Sequence, residues 1–162
     1  MTVRLRYLPL LLVSGVLLVT ACFKEESFEG GKDHGDLRIR EYPLGIVGDS
    51  GTIGTITIAE NADSSFNILV TMNSSIQDTV HVLHLHNGTM ENPGPIAYDL
   101  TSVKGTGGVV QSVTTNITEI VFPDNTQRKV TWDDIINFTG YVDVHYSALQ
   151  PNVLVAQGKI GN

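Results

Sequence analysis

The chain has 162 residues, with 17 acidic and 10 basic side chains, a formal net charge of −7 and one cysteine. An acidic surface repels phosphate backbones and anionic lipid headgroups, so the charge excludes nucleic acid as an expected partner. A single cysteine excludes an internal disulfide, so the burial of a core must stabilise the folded domain.

The first 21 residues have the pattern of a secretory signal peptide. Arg4 and Arg6 precede an apolar run over residues 8–19, and small residues follow that run up to Cys22. The run is too short for a membrane span and ends in a small-residue cleavage pattern. The Leu-Val-Thr-Ala-Cys sequence at 18–22 resembles the lipobox of bacterial lipoproteins. This resemblance implies cleavage before Cys22, lipidation of its sulfur, and stable anchoring by several acyl chains in the cell envelope.

A flexible tether is predicted at 22–35, because this segment is polar, contains three glycines and has no periodicity. Its Lys-Glu-Glu sequence at 24–26 resembles a surface-export signal, so we expect the anchor in the outer membrane, at the cell surface or on the periplasmic face. Removal of residues 1–21 takes away two arginines and no acid, which changes the formal net charge from −7 to −9. Residues 36–162 are long enough for one domain.

Beyond residue 36 the apolar period is mostly two, which predicts strands, and turn residues separate them. Strands are expected near 36–42, 51–58, 65–72, 78–86, 96–100, 109–114, 117–122, 140–146 and 153–160, with a helical turn at 131–137. Pro43 and Pro151 are expected to lie where strands end, and residues 87–95 to form an irregular loop. The predicted fold is all-β: a Greek-key or immunoglobulin-like β-sandwich of about eight strands with one short helical turn.

Three of the five histidines fall in the apolar run 80–88: His81, His84 and His86. On a strand, His84 and His86 share one face at a separation of about 7 Å, while His81 points to the other face. Two imidazoles on one face offer a metal ion two nitrogen ligands. The same pair also fits a structural role in which backbone carbonyls satisfy the rings.

The sequence around these histidines resembles the CHRD (chordin) domain. Residues 83–88 and 92–100 are similar to its His-x-His strand, glycine loop and Gly-Pro-hydrophobic strand, and residues 140–145 to its Tyr-Val-Asn-Val-His strand. The resemblance implies a secreted bacterial β-sandwich of immunoglobulin or superoxide dismutase type, without a generally established activity. Asp143 replaces the asparagine of the family pattern, and residues 154–160 depart from its closing motif.

His84, His86 and His145 also resemble part of the copper site of copper,zinc superoxide dismutases, which combine a His-x-His strand with a late Val-His strand. The resemblance implies that these three side chains are metal ligands, for copper or for zinc. Asp143 lies two residues before His145 on the same strand face, so it is expected either to hydrogen-bond to an imidazole ligand and orient it, or to ligate the metal directly.

Three functions remain open from the sequence. The first is a lipid-anchored binding module that holds copper or zinc at the three histidines. The second is a structural or adhesion domain in which the histidines form only a hydrogen-bond network. The third is a copper-dependent redox enzyme, which the sequence favours least, because the loop after Gly88 lacks a bridging histidine and no cluster of zinc ligands is present.

Overall fold

The computed structural model describes residues 37–48 and 51–162. The predicted signal peptide, Cys22 and the tether with His34 lie outside the described residues, so the boundaries at 21 and 35 stay predictions. In the described ranges, no helix is long and apolar enough to cross a membrane.

Ten strands and one short helix make up the described chain. In chain order they are β1 Ile39–Ile46, β2 Thr52–Glu60, β3 Phe66–Met72, β4 Val80–Gly88, β5 Pro93–Lys104, β6 Val110–Ile117, β7 Glu119–Val121, β8 Gln127–Lys129, α1 Trp132–Ile136, β9 Thr139–Ser147 and β10 Gln150–Gly161. The all-β prediction with one helical turn is therefore confirmed.

Eight strands form one antiparallel sheet in the order β5-β4-β9-β10-β1-β2-β3-β6, and β7 pairs only with β8. Strand β3 lies beside β6, and β4 lies beside β9. The connections from β3 to β4 and from β6 to β9 therefore join strands that are not neighbours in the sheet, as in a Greek key. Side chains link the two edge strands. The Thr101 N–H donates to Thr114 Oγ1 at 2.8 Å, and the Ser112 hydroxyl donates to the Thr101 carbonyl. The sheet is thereby nearly closed into a barrel.

Alternation along the strands places the core inside this sheet. The inward side chains of β3, β4 and β9 are almost fully buried apolar residues: Phe66, Ile68, Val70, Met72, Leu83, Leu85, Val142 and Val144. Because successive side chains on a strand alternate faces, the residues between them on β4 and β9 lie on the outer face of the sheet. This alternation decides where the histidines of both strands lie.

The predicted helical turn is present as α1 and carries a capping box. Thr131 Oγ1 accepts from the backbone N–H of Asp134, and the Asp134 carboxylate accepts from the backbone N–H of Thr131. Trp132 and Ile135 are buried and fix the helix to the core.

Two expected strand ends were wrong. Pro43 lies inside β1, ahead of the stretch that pairs with β10 at Gly45 and Ile46. Pro151 lies inside β10, where the register with β9 is irregular between Gln150 and Leu154. Proline removes one donor from the strand ladder, and it is tolerated at bulges and where pairing is incomplete.

The predicted irregular loop over 87–95 is shorter in the structure. Gly88 pairs with Pro93, so β4 and β5 are joined by residues 89–92 alone. Gly88 adopts a φ of +84°, which a side chain would disfavour, and this allows the tight connection. The turn residues that indicated a loop instead form the irregular start of β5.

Candidate metal centre

The pairing of β4 with β9 brings the three predicted histidines together. His84 lies directly opposite Asp143 in the antiparallel register, and Leu83 lies opposite Val144. Since the two apolar residues face the core, His84, His86 and His145 all lie on the outer face. Each offers one ring nitrogen, and these three nitrogens lie within 4.8 Å of one another.

The three rings pack against one another and are largely removed from water. The ring centroid of His84 lies 4.8 Å from that of His145 and 5.9 Å from that of His86. His86 also stacks on Tyr141, with centroids 5.0 Å apart and an interplanar angle of 13°. The exposed fraction is 17% for the His84 side chain, 14% for that of His86 and 9% for His145. The cluster is therefore held in place by packing.

Backbone carbonyls determine which ring nitrogens are free. His86 Nδ1 lies 3.1 Å from the carbonyl oxygen of Gly94, and His145 Nδ1 lies 2.6 Å from that of Pro151. A carbonyl only accepts, so in the neutral rings both Nδ1 atoms carry the proton and both Nε2 atoms have a free lone pair. His145 Nε2 then accepts from His84 Nδ1–H at 3.0 Å.

His86 Nε2 is a buried nitrogen of the cluster without a hydrogen bond. It is buried and has no hydrogen-bond partner, although Asp143 Oδ2 lies 3.5 Å away. That distance is longer than a normal hydrogen bond, and both atoms present lone pairs when the His86 proton is on Nδ1. A buried acceptor left unpaired costs about 1–3 kcal/mol. A cation placed here would remove that cost.

The surroundings of His84 favour its neutral form. Burial lowers the pKa of the His84 imidazole below its usual value, and the neighbouring His145 adds to this effect. Asp99, whose Oδ1 lies 3.5 Å from His84 Nε2, opposes it more weakly. Metal ligation requires the neutral imidazole, so the site favours the form of His84 that binds a metal.

Asp143 lies beside the cluster, on the face that the sequence predicted. It is buried, and its Oδ1 accepts a hydrogen bond of 2.7 Å from Gln157 Nε2. Gln157 is its direct partner in the pairing of β9 with β10. The carboxylate is therefore held at a fixed position, with its second oxygen towards His86.

His81 faces away from His84, as the alternation predicted, but it has a part in the site that the sequence did not indicate. The residue is 1% exposed, and its Nε2 accepts from the Ile76 N–H at 3.3 Å. Its Nδ1–H therefore donates to the backbone carbonyl of His145, at 3.1 Å. His81 thus connects the segment before β4 to the strand that carries His145.

Comparisons with known proteins show the fold. No protein-family model and no curated protein matches the chain, so the CHRD resemblance stays a prediction. Among solved structures, the chain is similar to a point mutant of a SOD-like protein from Bacillus subtilis. The two share 16% identity and a TM-score of 0.51, and the match covers 75% of this chain and 97% of that chain. The corresponding SOD-like protein gives 16% identity, 74% and 97% coverage and a TM-score of 0.49. Cu/Zn superoxide dismutase from Brucella abortus gives 14% identity, 76% and 99% coverage and a TM-score of 0.45.

Proposed function

We propose that this chain is a metal-binding module of the bacterial cell envelope, which holds one divalent copper or zinc ion through His84, His86 and His145. The observation that carries the proposal is the buried Nε2 of His86, which lies in the three-histidine cluster without a hydrogen-bond partner. Buried imidazole nitrogens normally have a partner, and a metal ion supplies one here.

The hydrogen bonds around the cluster suit this role. His86 and His145 each donate Nδ1–H to a carbonyl, an arrangement that commonly orients histidine ligands and leaves Nε2 for the metal. His84 binds the metal through Nδ1, and the metal replaces the proton that lies between His84 Nδ1 and His145 Nε2. The His84 proton then belongs on Nε2, on the side of Asp99. Divalent copper binds nitrogen ligands most strongly of the common first-row ions, and zinc accepts three histidines in tetrahedral sites.

The anchoring is part of the same proposal. Cys22 becomes the lipidated N-terminus after the signal peptide is removed, and the segment at 22–35 tethers a CHRD-type domain to the outer membrane. The net charge of −9 that remains favours attraction of cations to the domain.

One observation favours a second candidate function, a structural or adhesion domain. The 3.0 Å hydrogen bond between His84 and His145 needs no metal, and buried polar networks can specify a fold. Redox catalysis is not part of the proposal, because residues 89–92, which join β4 to β5, contain no histidine or cysteine that extends the cluster.

Calorimetric titration of the full chain, purified in detergent, with Zn²⁺ and with Cu²⁺ tests the proposal. We expect one ion per chain with a sub-micromolar Kd, and a loss of affinity of at least 100-fold in His84→Ala, His86→Ala and His145→Ala. His34→Ala is the matched control, because it removes a histidine of the predicted tether, and it should bind as the wild type does. Equal binding by all four variants, or no binding by the wild type, would overturn the proposal in favour of the structural domain.

A further inference from the structure

Asp143 is a buried carboxylate without a lysine or arginine partner. Its side chain is 7% exposed, and no lysine or arginine forms an ion pair with it in the described part of the chain. Its one hydrogen bond comes from the neutral Gln157 amide. Buried charges are normally paired or coordinate a metal ion. No lysine or arginine therefore balances the Asp143 carboxylate, and the nearest basic group is the His86 imidazole.

The unpaired oxygen of Asp143 and the unpaired nitrogen of His86 lie next to each other. Asp143 Oδ2 is 3.5 Å from His86 Nε2, and the His86 proton is held on Nδ1 by the Gly94 carbonyl. Two ligands about 2.0–2.1 Å from a tetrahedral zinc ion are about 3.3–3.4 Å apart. The observed spacing is close to that value and longer than a hydrogen bond of about 2.7–3.2 Å.

We propose that Asp143 Oδ2 is the fourth ligand of the metal, and that Gln157 holds the carboxylate in the orientation this requires. The inference rests on the proposed three-histidine site and deepens it. With three nitrogens and one carboxylate oxygen from the protein, the coordination sphere is closed. Closed four-coordinate sites retain an ion, whereas catalytic sites keep a position open for water or substrate.

The ligand set also determines which ion is preferred. A carboxylate is a hard oxygen donor and suits divalent ions, whereas cuprous copper favours soft sulfur ligands. The site therefore selects Zn²⁺ and Cu²⁺ over Cu⁺. Strand β9 supplies both Asp143 and His145, and Asp143 lies opposite His84 in the register, so paired strands fix the relative positions of these donors.

Asp143→Asn is the test variant, because it keeps the shape of the side chain and removes its negative charge. Asp99→Asn is the matched control, because it makes the same change at an 82% exposed carboxylate whose Oδ1 is also 3.5 Å from a ring nitrogen of the cluster. In the full chain, Asp143→Asn should weaken Zn²⁺ binding by more than about 100-fold. That factor is the upper limit for loss of a group that only hydrogen-bonds to a ligand. The Cu⁺ affinity of Asp143→Asn should change less than 10-fold, and Asp99→Asn should lower Zn²⁺ affinity by no more than about 100-fold, as expected for a carboxylate that only faces a ring nitrogen of a ligand.

A second measurement on the wild-type protein does not depend on any variant folding. With Cu²⁺ bound, electron–nuclear double resonance in D₂O should detect no exchangeable water in the first coordination sphere of the wild-type protein. A bound water in the wild type, or equal Zn²⁺ affinity in Asp143→Asn and Asp99→Asn, would overturn the assignment of Asp143. These results leave the three-histidine site intact if His86→Ala still abolishes binding. Failure of the proposed function would appear separately, as binding that His86→Ala does not weaken.

Discussion

Gly94 is the position where a single added methyl group tests the packing that supports the site. A Cβ built there would lie 2.5 Å from the backbone oxygen and 3.0 Å from the Cβ of Asn87. The start of β5 must therefore move away from β4 in Gly94→Ala. Overpacking of this kind costs about 1–3 kcal/mol. At roughly 4 °C for each kcal/mol, the Tm should fall by about 4–12 °C.

The same shift moves the Gly94 carbonyl, which accepts the Nδ1–H of His86. Loss of such a partner lowers metal affinity by about 10–100-fold. We would measure thermal unfolding by circular dichroism in a chelator, and Zn²⁺ affinity by calorimetry. Gly108→Ala is the control, because the closest atom to its added Cβ is Thr106 Oγ1 at 3.9 Å. If Gly94→Ala matched Gly108→Ala in both Tm and affinity, the packing argument would be refuted.

Three further predictions concern His81, His84 and Cys22. His81→Leu leaves the Ile76 N–H and the His145 carbonyl without their partner. At about 1–3 kcal/mol for each unpaired group, urea unfolding should show a loss of about 2–6 kcal/mol, with a smaller loss in His81→Gln. Equal stability of both variants and the wild type would contradict this. The pKa of His84 is lowered in the folded protein. As the pH falls through the ordinary histidine pKa of about 6.5, the unfolded chain therefore binds more protons than the folded chain. The stability of the metal-free protein should fall from pH 7 to 5. His84→Gln should reduce that slope, and an unchanged slope would count against the burial of His84. Cys22→Ser should abolish incorporation of radiolabelled palmitate into the protein during growth, and labelling equal to that of the wild type would rule out the lipid anchor.

The sequence was sufficient to predict the faces of the histidine strand. Alternation with a period of two put His84 and His86 on one face and His81 on the other, and the buried positions of Leu83 and Leu85 agree with it. The apolar pattern of β3 was equally clear, since all four of its inward residues are buried. Local periodicity predicts such features because it depends on side-chain geometry along a single strand.

Other features depend on which strands pair and in what register. Gln157 meets Asp143 because β10 pairs with β9 in one register, after an irregular stretch that contains Pro151. The carbonyls that orient His86 and His145 belong to Gly94 and Pro151, and a backbone carbonyl leaves no signal in residue type. These partners are set by pairing and bulges, which local patterns do not determine.

The most direct test of the three-histidine site is X-ray absorption spectroscopy at the zinc edge, on the full chain loaded with one equivalent of Zn²⁺ and then gel-filtered. We predict that zinc stays bound, with scattering from three imidazole rings and one further oxygen at about 2.0–2.1 Å. Loss of the zinc on the column, or a coordination sphere with fewer than three imidazoles, would contradict a metal centre formed by His84, His86 and His145.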